Sequence, residues 1–151
     1  MIDIGSPLSG KLVPLEEVKD EAFSKKMMGE GIAIIPSEGK VFSPADGVVD
    51  TLCDTCHAIG IHTDSGSDVL IHIGRDTVEL AGKYFKARVK EGERVKKGSL
   101  LIEFNGTKIQ KAGYDITTPV TIINSGEYKT VSVVKKADIE CGDTLLTLEE
   151  K

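Results

Sequence analysis

A chain of 151 residues with 40% hydrophobic and 28% charged residues has enough apolar material for one folded domain, which excludes a disordered polypeptide. Its net charge of −5 argues against a nucleic-acid partner, since that recognition rests on clustered Lys and Arg. Three cysteines are an odd number and suit free thiols in a reducing compartment better than a disulfide framework.

In chain order, short runs rich in Val, Ile and Thr between glycines predict strands at 11–14, 31–35, 40–43, 47–52, 58–63, 69–73, 88–90, 100–104, 120–123, 130–135 and 144–148. Only 15–28 and 106–112 read as helical. The expected class is all-β, an antiparallel sandwich or barrel-like fold with at most short helical segments, over a single domain 1–151. No apolar run approaches the ~18 residues of a membrane span and no leader pattern opens the chain, so a cytoplasmic protein without membrane insertion is expected.

The chain also repeats itself. Ser6-Pro-Leu-Ser-Gly10 returns as Ser43-Pro-Ala-Asp-Gly47, and the stretch 89–102 returns loosely as 134–146, with Gly98 and Gly142 each ahead of a Leu-Leu pair. Two copies of one strand-turn unit point to a duplicated, pseudo-symmetric fold, although turn chemistry recurs in many β proteins.

The stretch Asp68 to Leu80 carries the chemistry. Val69, Ile71 and Ile73 alternate with Asp68, Leu70 and His72, so His72 and Leu70 should face outward from a half-buried strand, with Gly74 ending the run and Asp76 within reach. An imidazole on a rigid strand can offer a ring nitrogen as a nucleophile, whereas most such histidines are inert surface groups. A hairpin turning at Ser65 and Gly66 would bring His57 beside His72. One ring could then attack a phosphoryl group while the other donates a hydrogen bond to it, with the Thr55 hydroxyl holding the second ring. The same pair with Asp76 could instead bind zinc and hydrolyse a substrate. His62 reads as surface.

Cys53-Asp-Thr-Cys-His57 matches the c-type haem attachment pattern. It is set aside because the context is strand and turn, and nothing marks export or a second iron ligand. A redox Cys-x-x-Cys lacks the helix N-terminus that lowers a thiol pKa.

These residues resemble the glucose-type enzyme IIA of the bacterial phosphoenolpyruvate-dependent sugar phosphotransferase system. Matching runs include Gly29-Glu-Gly-Ile-Ala-Ile34, Thr55-Cys-His-Ala58, Leu70-Ile-His-Ile-Gly74, Asp76-Thr-Val-Glu-Leu80 and Thr118-Pro-Val120, together with both Ser-Pro-x-x-Gly turns. The resemblance implies a β-sandwich with a duplicated hybrid motif. It implies that His72 accepts a phosphoryl group from phospho-HPr and passes it to a cysteine of a IIB domain, stabilised by His57 and Thr55, with no cofactor required. It also implies a main-chain carbonyl, that of Gly74, on the other nitrogen of His72. Around the site it implies a partner-binding rim of Asp20, Phe23, Leu70, Gly74, Asp76 and Val78. Unphosphorylated relatives also bind metabolic proteins, and adventitious or regulatory zinc could sit on His57 and His72. A binding module switched by His72 phosphorylation and a zinc hydrolase using His57, His72 and Asp76 are the alternatives. Glu21, Ala22, Cys53 and Leu70 depart from the apolar or aromatic residues of enteric relatives and thin the collar.

Overall fold

Ile59 and Ile61 on one strand, and Val69 and Ile71 on the next with Ile73 just beyond it, are withdrawn from solvent. Alternate positions of neighbouring strands therefore share one buried face. A computed structural model, describing residues 1–151, extends this pattern through fourteen strands. They are β1 (Ile2–Gly5), β2 (Gly10–Pro14), β3 (Glu30–Pro36), β4 (Lys40–Phe42), β5 (Gly47–Leu52), β6 (Ala58–Thr63), β7 (Asp68–His72), β8 (Phe85–Ala87), β9 (Arg94–Val95), β10 (Leu100–Phe104), β11 (Thr118–Ile122), β12 (Tyr128–Val133), β13 (Asp138–Ile139) and β14 (Thr144–Glu150). Two short helices complete the set, α1 (Glu21–Ser24) and α2 (Gly106–Lys111).

An eight-stranded antiparallel sheet runs β13-β2-β3-β11-β7-β6-β5-β9, and three-stranded sheets β1-β14-β12 and β4-β10-β8 complete the all-β architecture. One cluster of 25 buried apolar residues joins all three sheets, drawing Ile4 from β1, Leu101 and Ile102 from β10, and Leu145, Leu146 and Leu148 from β14. The central strands β7 and β6 lie in the middle of the large sheet, where their backbones are paired on both sides. That is a rigid place from which to present a side chain.

The internal repeat is a real pseudo-symmetry. The two Ser-Pro-x-x-Gly turns clasp one another: Gly5 N donates to Pro44 O (3.0 Å) and Phe42 N donates to Pro7 O (2.9 Å). Ser6 Oγ donates to Leu8 O and Ser43 Oγ to Ala45 O, at 2.6 and 2.7 Å. Ser6 N donates to Asp143 O while Ser43 N donates to Ser99 O, and the Gly142 and Gly98 amides return bonds to Ser6 O and Ser43 O. The strands that follow correspond too, Gly10 lying opposite Ile139 as Gly47 lies opposite Val95. Glycine is needed at both starts, because a Cβ would fall 2.1 Å from Ile35 O at Gly10 and 2.3 Å from His62 O at Gly47.

Several elements differ from the sequence expectation. The helix expected over 15–28 is a 3-10 turn, Leu15–Glu17, followed by the single turn of α1. Val18 is extended, and Asp20 stands outside the helix as its N-cap, its carboxylate accepting from Ala22 N at 3.0 Å. An Asp prefers such a cap to a helix interior, which divides the segment in two. The strand expected at 88–90 lies three residues earlier as β8, where Phe85, Lys86 and Ala87 pair with Phe104, Glu103 and Ile102. Strands β1, β9 and β13 and the 3-10 turn Thr77–Leu80 had no local signal. Strand β1 exists because it pairs with β14 at the far end of the chain.

Candidate functional site

The β6–β7 register sets the site. Ala58 lies opposite His72, and Ile73 N donates to His57 O at 2.7 Å, so the two histidines leave adjacent strand ends. Their ring centroids are 5.0 Å apart with planes at 85°, edge against face. Phe23, from α1, tilts against the other side of the His72 ring at 5.2 Å. His57 is 6% exposed, whereas His72 is half-buried.

Each ring has one nitrogen engaged. Nδ1 of His72 lies 2.9 Å from Gly74 O, and a carbonyl can only accept, so Nδ1 carries the proton and Nε2 keeps its lone pair. Nδ1 of His57 is bonded to the Thr55 hydroxyl, which can donate to it and leave the proton on Nε2. Burial, and then the neighbouring His72, lower the His57 pKa to about 4. Burial also lowers that of His72, opposed by the Gly74 carbonyl and the Asp20 and Asp76 carboxylates. At neutral pH the site therefore holds two uncharged imidazoles, one offering a lone pair and the other an N–H. That combination suits a nucleophile beside a donor that meets developing negative charge.

The aim of the Gly74 carbonyl is itself constrained. Gly74 has φ +78°, and a Cβ there would lie 2.6 Å from Asp115 O and 2.7 Å from Thr77 Cγ2. Arg75 N donates to Asp115 O, and the buried Thr77 hydroxyl donates to Ile73 O. Thr77 and Asp115 thus fix the Gly74 carbonyl that meets the His72 ring. Sequence reasoning missed both, and Asp115 carries no local signal because it comes from the loop before β11.

The other expected site residues separate into two sets. Val78, 51% exposed, Asp76, which stands 3.8 Å from Arg75 Nε, and the half-buried Leu70 and Asp20 are open to a visitor. Phe23 is only 3% exposed and Gly74 is buried. These two act from beneath, Phe23 as a wall behind His72 and Gly74 through its carbonyl, and little of either reaches a partner surface. His62 is at the opposite end of the hairpin, exposed, with Nδ1 2.6 Å from Asp68 Oδ1. The side chains bring together no group of three or more His, Cys, Asp or Glu that could hold a metal ion, so the two histidines lack a third ligand for the hydrolytic zinc arrangement. Cys53, Cys56 and Cys141 are free thiols.

Comparison with known proteins gives the family and the fold. A sequence model of the family described as phosphoenolpyruvate-dependent sugar phosphotransferase system, EIIA 1, matches residues 2–128. The β-glucoside-specific EIIBCA component of Halalkalibacterium halodurans is 51% identical over 146 residues, covering 97% of this chain and 23% of that protein. The chain thus spans about a quarter of the length of the β-glucoside relatives it matches. The glucose-specific EIIA component of Oceanobacillus iheyensis is 40% identical over 142 residues, covering 94% of this chain and 86% of the relative. The solved structure of glucose permease IIA from Mycoplasma capricolum superposes with a TM-score of 0.90 at 34% identity, covering 96% of this chain and 94% of the other.

Proposed function

We propose a mechanism from the premise that this chain belongs to the EIIA 1 family of the phosphoenolpyruvate-dependent sugar phosphotransferase system. It is a phosphotransferase component of sugar uptake, a carrier that takes a phosphoryl group and hands it on. In our reading residues 1–151 act as one enzyme IIA domain, and His72 is the carrier.

Nε2 of His72 attacks the phosphorus of phospho-HPr with its lone pair. The new N–P bond forms as the donor's N–P bond breaks, and the donor ring keeps that electron pair. The positive charge arising on His72 is shared with the Gly74 carbonyl through Nδ1–H. Nε2–H of His57, held in that tautomer by Thr55, donates to a phosphoryl oxygen and offsets its charge in transit. In the second step a IIB cysteine thiolate attacks the same phosphorus, and the N–P electron pair returns to His72. The acidic rim of Asp20 and Asp76 steers basic partners toward the site more than it tightens their grip.

One observation carries this reading: the two rings stand edge to face with both Nδ1 atoms occupied, so both Nε2 atoms are free for one phosphoryl group. The identity to β-glucoside-specific relatives supports a β-glucoside-type IIB domain as the acceptor. No helix is long and apolar enough to cross a membrane, and we assign the domain to the cytoplasm, where phospho-HPr is made. Incubation with phosphoenolpyruvate, enzyme I and HPr should give an acid-labile, base-stable phosphoprotein that discharges to a β-glucoside IIB domain. A chain that takes no label from phospho-HPr would refute the assignment.

A further inference from the structure

Cys53 and Cys56 enclose the residue that holds His57. Cys56 N donates to Cys53 O at 2.8 Å, and Cys53 N donates to Ala58 O at 3.3 Å, so Cys53-Asp-Thr-Cys56 is a closed four-residue turn anchored to β6. Such a turn keeps its first and fourth Cα atoms within about 7 Å, which overlaps the ~4.4–6.8 Å that a disulfide spans. Both cysteines are free and half-buried, and the Cys56 sulfur is on the outer side, 3.7 Å from Asp54 O. Thr55, inside the turn, grips His57 Nδ1, and Cys56 is covalently joined to His57.

We infer that Cys53 and Cys56 are a redox modification site, closed by a low-molecular-weight disulfide as oxidant, and that closure loosens the Thr55 grip on His57. The functional consequence rests on the carrier reading given above. Closure imposes a Cβ-to-Cβ distance of ~3.8 Å and a C–S–S–C dihedral near 90° on the two ends of the turn. The N-terminal end is held by the Cys53 N–Ala58 O bond, so the change falls on Asp54 and Thr55, and the Thr55 hydroxyl moves relative to His57 Nδ1.

The chemistry balances as two thiol–disulfide exchanges. The outer Cys56 thiolate attacks one sulfur of the oxidant, breaking its S–S bond and releasing one thiol. The Cys53 thiolate then attacks Cys56 Sγ, forming the internal S–S bond and releasing the second thiol. The cysteines lose two electrons and two protons, and the oxidant gains both. Burial, followed by Asp54, Cys56 and Glu91, pushes the Cys53 thiol up, so this second exchange quickens as pH rises above neutral.

The test treats the full chain with oxidised glutathione, then dithiothreitol, and follows intact mass, the mapped Cys53–Cys56 peptide, the His57 ring resonances and transfer to a IIB domain. The expected result is an internal link with loss of two hydrogen atoms, a reversible shift of the His57 resonances, and onward transfer reduced roughly tenfold, the size of one lost hydrogen bond, with His72 still labelled. Cys56→Ser and Cys53→Ser should show neither the His57 shift nor the loss of transfer. A glutathione adduct that never closes, or closure that leaves the His57 resonances unchanged, overturns the inference. Because those resonances report without any phosphoryl transfer, a reduced protein that takes no label counts against the carrier reading and not against the switch.

Discussion

The two ends of the β6–β7 hairpin put the same side chain to opposite uses. At one end His57 and His72 crowd together in a half-closed hollow, and burial lowers the pKa of both rings. At the other end His62 is in solvent against Asp68, whose hydrogen bond and charge, helped by Asp50 and Asp64, raise its pKa. Strand order and residue type are shared. What separates the proposed nucleophile from an ordinary surface ion pair is whether the ring is desolvated and where its Nδ1 proton goes: to a carbonyl at His72, to a carboxylate at His62.

Substitutions should separate these ends, and the largest effect is expected at His72. His72→Gln should take no label from phospho-HPr, as read by radiolabel or intact mass, because the neighbouring His57 carries its proton on Nε2 and has no lone pair there to attack with. His57→Gln should still be labelled but discharge to IIB about 10²–10³-fold more slowly, the usual scale for removing one donor to developing charge, measured by rapid-quench transfer. Gly74→Ala should destabilise the fold by about 1–3 kcal/mol in denaturant titration, because alanine must take φ +78° and its Cβ meets Asp115 O, and it should also slow labelling by turning the carbonyl from His72. Thr55→Val should cost about tenfold in onward transfer by releasing the His57 tautomer, with labelling of His72 little changed. His62→Gln, at the other end, should leave both steps unaltered.

The two ends should also respond to pH with opposite sign. His57 is about 4 when folded and near 6.5 when unfolded, so its contribution to stability is complete above 6.5 and is lost as pH falls toward 4. His62 is raised on folding, so its contribution is present below about 6.5 and is lost as pH rises through its folded value. Denaturation of each Gln variant across this range checks the signs, since His57→Gln should flatten the acid-side fall and His62→Gln the loss on the alkaline side.

Much of this molecule is legible in its sequence, for local reasons. The period-two run around Ile71 places His72 on a half-buried strand, and the Ser65-Gly66 turn sets the hairpin length that brings His57 beside it. The two Ser-Pro-x-x-Gly turns announce the duplication because each serine caps its own turn. What is illegible depends on contacts between distant segments. The resemblance puts Phe23 in the partner-binding rim, yet α1 folds it against His72 with 3% exposure, and nothing near Asp115 shows that its carbonyl steadies the Gly74 turn. Strand β1 is invisible for the same reason, since its partner β14 is supplied by the other end of the chain.

The most direct test of the His72 assignment is nitrogen–phosphorus coupling in the ¹⁵N-labelled, phosphorylated chain. The account expects the phosphoryl group on Nε2 of His72, with Nδ1 still protonated toward Gly74. Phosphorus on Nδ1 of His72, or on either nitrogen of His57, would contradict it.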